Sequence, residues 1–195
     1  MVKIGIICEG AADAVILSSD NFQNYLNSIG LSLINEVIEA DGCGNLLPHN
    51  IETYLLRLEN KGAEKIIIVT DLDNEPSITA VKERIKAREK DIFIFAVKEF
   101  EAWFLANNKA MGLLLNEKDF YFEFPELELE PFDTINQLLF EKTRRGIGKK
   151  SSGKLKLAFR FITTNINLED AALHPNCPSA TYFINKLKQI GNTSE

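Results

Sequence analysis

The sequence predicts an α/β fold: a mainly parallel four-stranded core sheet with helices on both faces, plus an irregular and helical C-terminal extension. Three observations predict it. Strand-like and helix-like segments alternate through the first 110 residues. The strand segments are continuously apolar rather than alternating, as strands buried on both faces are. The chain has 195 residues, 45% of them apolar, enough for one domain with a full core.

Each element follows in order. Residues 2–8 are an apolar run broken only by Lys3 and Gly5, and residues 12–26 carry Val15, Ile16, Phe22, Tyr25 and Leu26 at helical spacing. Residues 31–38 are β-branched and apolar. The turn cluster 41–45 then leads into a helix bearing Leu46, Ile51, Leu55, Leu56 and Leu58, closed by Gly62. Residues 66–70 form a third strand, residues 77–90 a charged surface helix, residues 92–97 a fourth strand, and residues 100–107 the start of a further helix. Right-handed crossovers join parallel strands in this order. The expected organisation is a core over 1–110 and an extension over 111–195 that packs on it, one domain overall. In the extension an acidic, aromatic stretch precedes a basic Gly/Ser-containing stretch and the apolar run 155–162. A last helix spans 179–190, with Ser179 as its cap.

Composition excludes several classes. No apolar run approaches the roughly 20 residues that cross a bilayer, and the first residues lack a cleavage signal. Cys8, Cys43 and Cys177 are scattered, which argues against a disulfide framework or zinc site and for free thiols in the cytoplasm. The net charge of −6 argues against a protein that coats nucleic acid over its whole surface. Yet residues 142–160 hold eight basic side chains and no acidic one, leaving −14 on the rest. Residues 117–133 just upstream hold seven acids against Lys118.

In open parallel sheets ligands bind beyond the carboxyl ends of the strands. Glu9 follows the first strand, Asp71 and Asp73 the third, Glu99 and Glu101 the fourth. Carboxylates gathered at one edge repel each other unless a cation or proton neutralises them. Oxygen-only ligands suit Mg²⁺ or Mn²⁺, and His49 and His174 stand alone. Each piece also has a plainer use: an Asp after a strand caps helices or turns, and Glu99 and Glu101 suit a helix start.

An apolar strand ending in Glu-Gly (IGIICEG, residues 4–10) and a later strand ending in Asp-x-Asp (IIIVTDLD, residues 66–73) resemble the TOPRIM domain of topoisomerases, primases and overcoming-lysogenization-defect nucleases. The resemblance covers about residues 1–105 and implies a Rossmann-like sheet. It implies that Glu9, Asp71 and Asp73 hold Mg²⁺ during phosphoryl transfer, with Glu9 also able to act as general acid or base. Asp13 matches an acidic residue often found four places after the glutamate. KEFEAWFLAN (residues 98–107) and CPSATYFINKL (residues 177–187) are similar to the bacterial domain of unknown function 4276 family. That group has a TOPRIM-like core and is associated with phage defence, often beside an ATPase. This second resemblance implies that Glu101 lies near the metal, with Trp103 in the wall or core.

The basic stretch complements such a site. Lys142, Arg144, Arg145, Lys149, Lys150 and Lys154 would hold a nucleic-acid backbone, and Gly146, Gly148, Ser151, Ser152 and Gly153 would form a flexible loop whose amides meet phosphate. GIGKKSSGK lacks P-loop spacing, and the same stretch could instead be a solvated loop neutralising the acids before it. His174 is a candidate proton carrier, although a histidine before proline is commonly structural. The expected function is therefore a Mg²⁺- or Mn²⁺-dependent nuclease acting on DNA or RNA, with Glu9, Asp71 and Asp73 catalytic and Glu101 a fourth metal ligand. The alternative is a non-catalytic subunit that binds an ATPase partner or nucleic acid. A small-molecule phosphatase is a third option, but the Asp-x-Asp of haloacid-dehalogenase-like phosphatases normally follows the first strand.

Overall fold

The computed structural model describes residues 1–86 and 88–192. Four parallel strands form one sheet: β1 (Val2–Cys8), β2 (Leu31–Glu39), β3 (Lys65–Asp71) and β4 (Ile92–Ala96), in the order β2-β1-β3-β4. Because β2 lies on one side of β1 and β3 on the other, the direction of winding reverses between β1 and β3. That reversal opens a crevice at their carboxyl ends.

The helices of the first half are α1 (Ala11–Leu17), α2 (Asp20–Ser28), α3 (Pro48–Asn60) and α4 (Ile78–Ile85). The second half contributes α5 (Glu101–Ala106), α6 (Asn108–Leu115), α7 (Pro131–Thr143), α8 (Lys150–Thr163), α9 (Leu168–Ala172) and α10 (Pro178–Asn192). Two apolar layers sandwich the sheet. On one face Ile7, Ile66, Ile68 and Phe95 meet α3 and α4 through Ile51, Leu55, Leu58, Val81 and Ile85. On the other, Ile4, Ile6, Ile67, Val69, Ile94 and Ala96 meet α1, α2 and the helices after β4. Each fully buried Ile, Leu or Phe contributes about 1.5–3 kcal/mol, so the larger layer ties residues beyond 110 to the core: α8 packs on α1, and α10 on β4 and β2.

Several local expectations change. The single helix expected over 12–26 is two, because the Ser19 hydroxyl accepts from Phe22 N and caps a new start. The helix expected over 77–90 ends where Lys86 turns left-handed, and Ala87 lies outside the described residues. The stretch 146–153 is not a loop throughout: α8 begins at Lys150, so Ser151, Ser152 and Gly153 are helical. Gly153 is buried where a Cβ would overlap the Phe132 ring of α7, so its glycine serves close helix packing. Ser179 is not the cap of α10 but lies inside its first turn. There its Oγ accepts from Trp103 Nε1 at 2.7 Å and its N donates to Glu126 Oε1 at 2.8 Å. Trp103 itself is fully buried between Phe100 and Phe183. All three cysteines are free, and among the described residues no helix is long and apolar enough to cross a membrane.

Candidate active site at the strand ends

The parallel register sets the site. Cys8 pairs with Glu39 on one side and Val69 on the other, while Asp71 pairs with Ala96. The residues just past each strand therefore share one edge. Glu9 Oε2 accepts from Thr70 Oγ1 at 2.9 Å and from Asp71 N at 3.3 Å, which locks it across the β1–β3 crevice. Asp71 Oδ1 accepts from Phe100 N at 2.9 Å, so Asp71 also holds the start of the segment that carries Glu101. Asp13, in the first turn of α1, accepts from Gly10 N at 3.1 Å.

Two lysines of α8 reach into these acids. Lys154 Nζ lies 2.9 Å from Glu101 Oε2 and 3.6 Å from Glu99 Oε2. Lys150 Nζ bridges Glu99 and Glu130. The acids outnumber them, and Glu101 Oε1 is buried with no side-chain partner among the described residues. Electrostatics follow from that excess. Burial, then the charge of Glu101, pushes the Asp13 carboxyl up to about 8 against the pull of the Gly10 amide and Lys154. Burial, then Asp13 and Glu101, raises Asp71 well above the usual carboxylate range. Burial raises Glu101, and Lys154 opposes the rise. Burial alone would lower the pKa of Lys154. Glu101 and Asp71 more than reverse this, so the ammonium stays charged.

A cleft of about 310 Å³ opens over this cluster. Glu9, Gly10, Asp13 and Asp71 line one wall, Glu39 and Asp41 stand beside them, and Lys150, Ser151 and Lys154 at the start of α8 face them. No side chain caps α8, so its first amides are donors for an anion.

Of the residues expected from sequence, Glu9 and Asp71 come together and Glu101 joins them through Lys154. Asp73 diverges. Its backbone is left-handed (φ 47°) and its N donates to Lys98 O at 2.9 Å, with Lys98 also left-handed (φ 65°). Asp73 lines a neighbouring cleft of about 100 Å³ with Lys98, Glu99, Glu130 and Lys150. It still senses the cluster: burial, then Glu9 and Glu99, raises its pKa. Among the described residues no group of three or more His, Cys, Asp or Glu side chains is disposed to hold a metal ion.

The basic residues divide. Lys150 and Lys154 serve the acids, and Lys142 pairs with Glu117 at 2.8 Å. Arg144, Arg145 and Lys149 are exposed and form no ion pair among the described residues. His174 does not line the cleft; buried, it stacks on Tyr121 and accepts from Asn176 N at 3.1 Å through Nδ1. Sequence reasoning missed Thr70, whose only signal was a hydroxyl ending an apolar strand, and the acidic lip of Glu39 and Asp41. Fold and site together define an α/β protein with a carboxylate–lysine cleft at its topological switch point. No protein-family model, curated protein or solved structure matches the chain.

Proposed function

We propose that the protein is a Mg²⁺- or Mn²⁺-dependent phosphoryl-transfer enzyme of TOPRIM-like type, a nuclease cleaving a DNA or RNA phosphodiester. The observation that carries this reading is the surplus of carboxylates at one sheet edge. Glu9, Asp13 and Asp71 face a cleft open to an anion, Glu101 and Glu99 stand behind them on Lys154 and Lys150, and Asp73 lies in the adjoining cleft with Lys98. An all-oxygen donor set under mutual repulsion suits a hard divalent cation. Glu9 and Asp71 would hold the ion, with Asp73 and Glu101 as the nearby carboxylates that could add to them. When bound, the ion supplies neutralisation of the reacting phosphate and a more acidic water.

The chain's own groups account for the rest. Lys150, Lys154 and the first amides of α8 bind non-bridging phosphate oxygens. Glu9 takes the proton of the attacking water as its oxygen bonds to phosphorus. Asp13, whose carboxyl burial favours in the protonated form, would give a proton to the leaving oxygen as the P–O bond breaks. Arg144, Arg145 and Lys149 steer the strand toward the cleft. A role in phage defence, the expectation raised by residues 98–107 and 177–187, is part of the same proposal.

Lys154 favours a second reading. As a resident counter-ion it already neutralises part of the cluster, and among the described residues no three acids stand in an ion-holding arrangement. In that reading the protein is a non-catalytic subunit that binds nucleic acid or an ATPase partner. Asp71→Asn separates the two, because asparagine keeps the acceptor for Phe100 N and removes the charge. The enzyme reading expects Mg²⁺-dependent cleavage by the parent chain and none by a folded Asp71→Asn variant. No turnover with any metal, with polynucleotide binding that survives Glu9→Gln, would establish the second reading.

A further inference from the structure

The two outer edges of the sheet are built differently. Along β2 the pairing slips, with Ile4 opposite Leu33 but Ile6 opposite Val37, and Glu36 within the slip is held by Arg57 and Lys61. Such an irregularity blunts an edge against further pairing. The β4 edge has no such device. Its register with β3 runs unbroken from Ile67–Ile92 to Asp71–Ala96, and no strand pairs with its outer side among the described residues. Its side chains Ile92, Phe93, Ile94 and Phe95 are apolar.

A groove of about 450 Å³ crosses this edge. Because α4 and α10 pack on opposite faces of the sheet, Lys82 lines it from one side and Tyr182 and Lys186 from the other, with Phe93 between and Lys65 and Lys90 at its base; of its two acids, Asp91 is held by Arg88 and Glu89 stands at the turn before β4. Phe93 and Phe95 stack at 5.9 Å, and Lys82 Nζ lies 5.7 Å from the Phe93 ring. Lys90 is taken by Glu59. Lys65, Lys82 and Lys186 form no ion pair among the described residues, in a chain whose net charge is −6.

We infer that the β4 edge is a docking site for an extended acidic peptide segment of a partner protein, which joins the sheet as a fifth strand. The main chain of the peptide pairs with the outer N–H and C=O groups of β4. Its side chains alternate between the two faces, one set toward Phe93 and Lys82 on the α4 side and the other toward Tyr182 and Lys186 on the α10 side, so each face meets an aromatic ring and an ammonium group. A nucleic-acid backbone matches the lysines but lacks the N–H donors that complete a strand edge. Lys65 opens β3 whereas Asp71 closes it, so the lysine groove lies toward the opposite end of the strands from the carboxylate cleft and shares no lining residue with it.

The test is fluorescence anisotropy of a labelled octapeptide repeating Glu-Glu-Val-Val, which sets both residue types on each face of the strand, titrated with the full chain. Saturable binding is expected. It should weaken at least about tenfold in Lys82→Glu/Lys186→Glu, through like-charge repulsion, and less in Lys82→Gln/Lys186→Gln. The same peptide N-methylated at alternate amides should not bind, and bound peptide should slow amide exchange across residues 92–96. Absence of saturable binding, or equal binding of the N-methylated peptide, overturns the inference. So does a single-stranded oligonucleotide that binds the groove where the peptide does not. A dimer lost in Lys82→Glu would assign the edge to a second copy and likewise overturn it.

Discussion

Lys154 holds the strand-end acids together. Its ammonium faces Glu101, which is 1% exposed, and its charge acts on Asp71 and Asp13 as well. Removing one partner of a buried pair leaves the other charge without compensation. Lys154→Met should therefore destabilise the fold by about 3 kcal/mol at neutral pH, read from urea midpoints. Glu101→Gln, which removes the stranded charge, should cost less, and the double variant less than the sum. Equal and additive losses would show that the pair is not coupled. A second residue gives a pH signature. Burial lowers the His174 pKa below its ordinary 6.5, so between those two values the unfolded chain binds a proton that the folded chain does not. Stability from this group is complete above about 6.5 and is lost as pH falls through the folded value. Urea midpoints should drop between pH 7.5 and pH 5, and His174→Gln should flatten the drop; an unchanged slope would remove His174 as its source. At this scale the sequence was informative about position and silent about direction. Glu9 and Asp71 were legible because residues after apolar strands must reach the carboxyl edge. The divergence of Asp73 was not, because a left-handed backbone paired with Lys98 turns it. Nor was the role of Lys154, since its partner comes from a distant helix.

At the scale of elements, α8 decides the character of the site, and it was the element least visible beforehand. Gly146, Gly148, Ser151, Ser152 and Gly153 read as a flexible loop because glycine and serine are poor helix formers. The helix exists because Leu157, Ala158 and Phe161 bury against α1 and the aromatic core, and tertiary packing overrides weak propensity. Gly153 is the contact that lets α8 approach α7, and through it Lys150 and Lys154 reach the acids. Gly153→Ala should cost about 1–3 kcal/mol by overpacking against Phe132, although alanine is the better helix former. Combination with Phe132→Leu should restore part of the loss. A stabilised Gly153→Ala would mean that propensity outweighs packing there. The four strands, by contrast, were legible nearly to the residue: β1 and β3 because a buried strand leaves a continuous apolar run, and β2 because its apolar residues persist around Ser32, Asn35 and Glu36. The break between α1 and α2 was missed because the Ser19 hydroxyl, not a loss of apolar spacing, makes it.

Across the whole molecule, charge is sorted rather than spread. The chain is acidic overall, yet its basic stretch lies beside the most acidic cleft. Sequence alone suggested six cations free for a phosphate backbone, but pairing decides how many act, and pairing is a property of the fold. Lys142, Lys150 and Lys154 are neutralised by acids, leaving Arg144, Arg145 and Lys149 exposed. Each phosphate neutralised on duplex DNA adds about −0.9 to the slope of log K against log salt. Three contacts therefore give a slope of about −3, and six would give about −5. Binding of a short duplex by Asp71→Asn, chosen to suppress cleavage, should show the shallower slope, and Arg144→Ala/Arg145→Ala should flatten it by about 2. A slope near −5 would mean that the paired lysines leave their carboxylates when nucleic acid arrives. On a duplex with non-hydrolysable linkages, saturating Mn²⁺ should then steepen the slope of the parent chain but not that of a Lys150→Met/Lys154→Met variant, because a dication in the cleft would release those two ammonium groups to the phosphates.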